Sequence, residues 1–288
     1  MNRIGANTWI WVSPLTDERL AGVAPRVAEL GFDGIELPIE SPGDWDPDRA
    51  RELLAGLGLS ASTCIVMSPD RDLLSDDLDV VRSTQAYVRA GIAMTAAAGA
   101  TVFAGPLYAP VGRTWLLAPG ERERALGRLA GNLRPLVDAA VAAGVTLALE
   151  PLNRFETSFV NTAEQAMEIV ERVASPGLGV LLDTFHMNIE EPEPAAAIRR
   201  CAGHLAHFHA CGCDRGAPGR DHIPWPEIAL ALRDIGYGGS VVVESFTSEN
   251  QAIARAAAIW RPLAASPDAL ASDGLRFLRE LLAGQGAA

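Results

Sequence analysis

Four short runs in this chain end in a side chain able to bind a metal ion or move a proton. They are Leu147-Ala148-Leu149-Glu150, Val180-Leu181-Leu182-Asp183, Ala206-His207-Phe208-His209 and Val241-Val242-Val243-Glu244. From Glu150 to Asp183 to His209 to Glu244 the steps are 33, 26 and 35 residues, each the length of one strand–helix unit. Singly, each residue has a plainer reading. A carboxylate at a strand end is usually a solvated turn residue or a helix cap, and a lone strand histidine is usually a satisfied core residue. Four of them on four successive units favour one shared site. Three carboxylates brought that close raise one another's pKa unless a positive charge sits among them. A divalent cation supplies that charge, and three oxygens plus one nitrogen suit Mn2+, Mg2+ or Co2+ better than a thiolate-seeking ion.

A rival cluster lies in His207-Phe208-His209-Ala210-Cys211-Gly212-Cys213. On a strand His207 and His209 share a face, and two thiols follow. A structural zinc site, however, usually spaces its cysteines by two to four residues and draws on a second pair. Packing or loop roles are expected for these cysteines.

For the four end residues to meet, the chain must fold as repeated strand–helix units. Arg3 to Ile10 reads as a first strand, and Leu15 to Leu30 as a helix stopped by Gly31. Strands follow at Gly34 to Leu37, Leu59 to Val66, Thr101 to Ala104, Val145 to Glu150, Leu178 to Asp183, Leu205 to His209 and Ser240 to Glu244. The helices between them are expected over Pro47 to Gly56, Asp77 to Ala98, about Pro119 to Ala143, Thr162 to Val173 and Trp225 to Ile235. A last helix covers Leu270 to Leu282. Eight such alternations predict parallel βαβ units, and 288 residues fit a single (β/α)8 TIM barrel. A doubly wound open sheet is the second architecture, but no Gly-x-Gly-x-x-Gly follows a strand. No linker or low-complexity tract divides the chain, so one domain over 1–288 is expected.

Composition excludes several classes of function. With 24 Lys and Arg against 36 Asp and Glu the net charge is −12, unfavourable for a nucleic-acid partner, whose binding rests on neutralised phosphates. The uncharged stretch Ile92 to Gly112 is Ala- and Gly-rich and broken by Pro106 and Pro110. It reads as a helix end, a core strand and a loop, not a membrane span. No signal-like run opens the chain. The four cysteines (Cys64, Cys201, Cys211 and Cys213) are expected to be reduced thiols of a cytoplasmic protein.

Longer stretches carry a family likeness. Glu150-Pro151-Leu152-Asn153-Arg154-Phe155-Glu156, Leu182 to Glu191 (Leu-Asp-Thr-Phe-His-Met-Asn-Ile-Glu-Glu) and His207-Phe208-His209 resemble the ketose 3-epimerase family. That family includes D-tagatose and D-psicose (allulose) 3-epimerases and belongs to the xylose-isomerase-like barrels. Arg215, Pro224-Trp225, Leu230 to Tyr237 and the strand ending at Glu244 extend the match. The resemblance implies that Glu150, Asp183, His209 and Glu244 hold a divalent metal, usually Mn2+, with Glu150 and Glu244 also the catalytic pair. It implies that Glu156, His186 and Arg215 bind the sugar near C1 to C3. The implied reaction interconverts C3 epimers of free ketoses, such as D-tagatose and D-sorbose, D-fructose and D-psicose, or L-ribulose and L-xylulose. C3 is deprotonated and reprotonated through an enediolate. A homodimer or homotetramer is also implied. The sequence departs from the family at Asn7, where aromatics are common, and Trp9 and Trp11 follow. Cys64 and the loop Gly105 to Trp115 lie where the family meets the far end of the sugar. The alternatives are an aldose–ketose isomerase of hydroxypyruvate or rhamnose type on the same barrel, a DNA-repair endonuclease disfavoured by the charge, and a non-catalytic sugar-binding protein.

Overall fold

A computed structural model describes residues 2–118, 120–246, 254, 255 and 257–284. Eight parallel strands close into a barrel in chain order, β1 pairing with β8. They are β1 Ile4–Asn7, β2 Gly34–Pro38, β3 Ser60–Cys64, β4 Val102–Gly105, β5 Thr146–Leu149, β6 Leu178–Asp183, β7 Leu205–Ala210 and β8 Val241–Val243. The helices are α1 Asp17–Leu30, α2 Pro47–Leu57, α3 Leu78–Ala97, α4 Glu121–Ala142, α5 Ala163–Val173, α6 Thr184–Glu190, α7 Pro194–Arg200, α8 Trp225–Asp234 and α9 Pro267–Ala283.

Local chemistry sets where these elements begin and end. The Oγ1 of Thr162 accepts from the Gln165 N–H and starts α5, and Asp46 caps α2 with Pro47 at its first turn. Gly31 and Gly58 close α1 and α2 at φ 93° and 72°, a region costly for any side chain. Val27, Leu133, Ile169 and Phe208 are among the residues of a continuous apolar core. The stretch Ile92–Gly112 resolves into the end of α3, then β4, then a loop. Among the described residues no helix is long and apolar enough to cross a membrane.

The first strand is shorter than its sequence implies. The Asn7 side chain accepts the Trp9 N–H at 2.8 Å and turns the chain into a 3-10 turn over Thr8–Ile10. The two short helices α6 and α7 fill a stretch where periodicity shows no element. Each has only seven residues, too few for an amphipathic repeat to register. Pro119, where α4 was expected to begin, lies outside the described residues, and the helix starts at Glu121.

Register aligns the polar residues. Asp183 on β6 is paired with His209 on β7, and Glu36 on β2 sits level with Asn7 on β1 and Ser62 on β3. Gly105 ends β4 at φ 134°, and a Cβ there would lie 2.3 Å from the Ile65 carbonyl oxygen. Only glycine lets β3 and β4 approach this closely at the barrel mouth.

Candidate active site

Glu150 follows β5, its N–H donating to the Gly105 carbonyl at 3.0 Å. Asp183 ends β6 and also caps α6: its Oδ1 accepts the Phe185 N–H at 2.9 Å, and its Oδ2 accepts from Arg215 Nη1 at 3.0 Å. His209 lies in β7, and Glu244 follows β8. All four side chains are buried. One donor atom each from Asp183, His209 and Glu244 lie within 4.8 Å of one another, as do those of Glu150, Asp183 and His186. The fold thus gathers all four strand-end residues at the C-terminal mouth of the barrel, where active sites of this fold form.

Arg215 enters this acidic group from the loop after β7. Its Nη1 lies 3.0 Å from both Asp183 Oδ2 and Glu244 Oε2, and its Nη2 lies 3.4 Å from Glu156 Oε1. The guanidinium stacks over Phe185 at 3.9 Å and Phe246 at 5.1 Å. The backbone of Arg215 has φ 67°, an uncommon conformation for a side-chain-bearing residue. The Ser245 hydroxyl donates to its carbonyl at 2.6 Å and holds it there.

His186 is oriented from behind. The Asn153 backbone N–H, which can only donate, meets its Nδ1 at 3.0 Å. On the other side of the ring, Nε2 lies 3.3 Å from Arg215 Nη2 and 3.7 Å from Glu150 Oε1. Burial, with Arg215 and His209 nearby, holds the His186 pKa well below its usual value and keeps the ring neutral. The Asn153 side-chain amide also donates to Glu156 Oε1 at 2.8 Å. Asn153 lies inside the run that carries the family likeness, yet nothing in its own type marks it as the residue that orients the His186 ring.

The electrostatics of the cluster are unbalanced. Burial and the nearby Glu244 push Glu150 well above the usual carboxylate range. Burial lifts Asp183 to about 7 even against the lowering effect of Arg215. Burial also opposes ionisation of Glu244, but His209 and Arg215 outweigh it and bring its pKa down. His209 is itself raised: burial works against its charged form, and Glu36 and Glu244 overcome that.

These residues fit a divalent cation. The buried His209 Nδ1 has no well-aligned hydrogen-bond partner, Glu244 Oε1 lying 3.2 Å away but off its axis. An unpartnered ring nitrogen beside crowded carboxylates is the donor set a hard divalent ion takes. No thiol joins it: Cys211 is buried behind the site, Cys213 lies further along the loop, and all four cysteines are free.

The cavity at the cluster has a mixed lining. Glu150, Glu156, His186, His209, Arg215 and Glu244 are its polar lining, and Trp9, Cys64, Val66, Val111 and Phe246 are among its apolar lining. Cys64 is thus at the pocket. Asn7 stands behind it, its side-chain amide 3.4 Å from the Cys64 sulfur, and Trp115 stacks on Phe159 at 5.9 Å.

A carboxylate absent from the sequence expectations lies beneath the site. Glu36 is fully buried on β2, with Nε2 of His207 2.6 Å from its Oε1 and Nε2 of His209 2.8 Å from its Oε2. The signal for it was available: a charged residue inside the apolar run Gly34-Ile35-Glu36-Leu37 must have partners if the strand is buried.

Comparison with known proteins bears on the same site. Residues 24–281 match the model of the xylose isomerase-like TIM barrel family. The chain belongs to that family. It is 34% identical to a probable ketose 3-epimerase of Synechocystis sp., covering 96% of each chain. It is 35% identical to an L-ribulose 3-epimerase of Mesorhizobium japonicum, covering 96% of this chain and 93% of that one. A solved structure of an L-ribulose 3-epimerase superposes with a TM-score of 0.93 at 34% identity, covering 100% of this chain and 99% of the other. These relatives are isomerase-class enzymes, and the family match runs through β5 to β8, after or within which Glu150, Asp183, His209 and Glu244 lie.

Proposed function

We propose that this chain is a metal-dependent ketose 3-epimerase that interconverts C3 epimers of free ketoses. The observation that carries the reading is one cavity lined by two carboxyl groups from well-separated strands, Glu150 after β5 and Glu244 after β8. Inverting a carbon without redox chemistry needs a group on each face of a planar intermediate, one to remove the proton and one to return it. Glu150 and Glu244 stand three strands apart around the closed barrel and flank the sugar in that way.

Glu150, Asp183, His209 and Glu244 would hold the cation. When bound, it acts as a Lewis acid that polarises the C2 carbonyl and lowers the cost of charge at C3. The protein's own groups do the rest. One of the two glutamates takes the C3 proton, and the other delivers a proton to the opposite face. His186 and the Arg215 guanidinium face the sugar oxygens that gain charge as the proton leaves. Glu156, tied to Asn153 and Arg215, orients the hydroxyl end of the substrate. The apolar lining residues Trp9, Val66, Val111 and Phe246 offer few partners to sugar hydroxyls, so recognition concentrates on C1 to C3.

Mn2+ is the cation proposed, on the strength of the oxygen-rich donor set and the family likeness, with Co2+ or Mg2+ as substitutes. A cytoplasmic setting accords with four unpaired thiols. The homodimer or homotetramer rests on the family likeness alone.

A panel of ketohexoses and ketopentoses, assayed with Mn2+ and with excess chelator, tests the proposal. C3 epimers should accumulate with the metal and vanish with chelator. Aldose products would favour the isomerase reading. Saturable binding without turnover of any sugar would favour a binding protein.

A further inference from the structure

Glu36 receives more hydrogen-bond partners than any simple core residue needs. Its Oε1 takes His207 Nε2 at 2.6 Å and the Ser62 hydroxyl at 3.1 Å. Its Oε2 takes the Asn7 amide at 2.8 Å and faces His209 Nε2 at 2.8 Å, the last contact bent off the ring N–H axis. An ionised carboxylate has about four acceptor positions, so this one is saturated by residues from β1, β3 and β7. Burial pushes its pKa up, but the two imidazoles outweigh that and hold it well below the usual range.

Two readings of this cluster compete. A second cation could sit among Glu36, His207 and His209, whose donor atoms lie within 4.8 Å of one another. Donors bound to one ion at about 2.1 Å each stand about 3 Å apart at right angles. A nitrogen–oxygen distance of 2.6 Å is instead that of a charge-assisted hydrogen bond. The cluster is hydrogen-bonded support.

We infer that Glu36 is a positioning residue for His209. It keeps the imidazole proton on Nε2 and so directs the Nδ1 lone pair to the space shared with Asp183 and Glu244. This inference rests on the metal-ligand reading of His209 proposed above. The His207 ring, edge-on to His209 with centroids 5.1 Å apart, and the Asn7 and Ser62 side chains keep the carboxylate from turning away. Glu36 does not line the sugar cavity, so its effect on turnover must pass through the metal.

The test is a titration of chelator-stripped protein with Mn2+, following free Mn2+ by its paramagnetic resonance signal. Glu36→Gln should weaken Mn2+ binding about 10- to 100-fold, the effect expected when a histidine ligand loses its carboxylate partner. Saturating Mn2+ should restore most of kcat. Glu36→Asp keeps the charge but withdraws it by one methylene, and should show a smaller loss than Glu36→Gln. Wild-type Mn2+ affinity in both folded variants would overturn the inference, as would a loss of kcat that saturating metal fails to rescue. Asp183→Ala in the same titration separates the two levels. If it too binds Mn2+ normally, the ligand reading fails; if it binds weakly while the Glu36 variants do not, only the role of Glu36 falls.

Discussion

Glu150→Gln and Glu244→Gln should each lower kcat about 1,000-fold, within the range contributed by a positioned acid or base, while the barrel stays folded. The substitution keeps the shape and one oxygen donor of each side chain, so cation binding should suffer less than proton transfer. Folding is spared for a physical reason. Burial and Glu244 together push Glu150 toward its neutral form, so a neutral amide there relieves repulsion. At position 244 the amide oxygen can still accept from Arg215 Nη1. Circular dichroism and thermal unfolding check the fold, and epimer ratios by NMR check turnover. A Gln variant retaining more than a tenth of wild-type kcat would mean that its carboxyl does not move the proton.

Asp183→Ala should weaken Mn2+ affinity by at least about 100-fold, above the range for loss of an outer partner, and activity at low Mn2+ should fall with it. Two structural consequences come with the change. The Phe185 N–H at the start of α6 loses its cap, worth about 1 kcal/mol, and Arg215 Nη1 loses one of its two closest carboxylates. Asp183→Asn separates these effects, since its amide oxygen can still cap α6 while the charge is gone. Affinity should then fall without the loss of helix stability. Calorimetric titration with Mn2+ measures the first quantity and thermal denaturation the second. Wild-type affinity in both variants would remove Asp183 from the ligand set.

Much of this was legible in the residues themselves. The strand ends at Glu150, Asp183, His209 and Glu244 could be read because a charge after three apolar residues breaks a pattern, and the break recurs at one-unit steps. Thr162 and Gly31 marked helix limits because capping and left-handed backbone are local chemistry. Glu36 was harder to see. Its meaning depends on β1 and β3 standing level beside β2 and on β7 reaching it across the barrel, and register across a closed barrel is not written in any one segment. The orientation of the His186 ring depends on the Asn153 backbone amide, a group every non-proline residue has. The helix α6 was hidden because Asp183 serves both as the last strand residue and as the cap of the next helix, and seven residues leave no periodicity to detect. The ligand roles of the four strand-end residues, and those of Glu156, His186 and Arg215 toward the sugar, stand as proposals that the variants above address.

The most direct test of the proton-transfer claim is to run the Mn2+-loaded enzyme on a ketose in heavy water and locate deuterium by NMR. Removal of a proton by one glutamate and its return by the other requires solvent deuterium at C3 of the epimerised product, and C1 should remain unlabelled. Product carrying its original hydrogen at C3, or deuterium placed at C1 or C2, would contradict the mechanism.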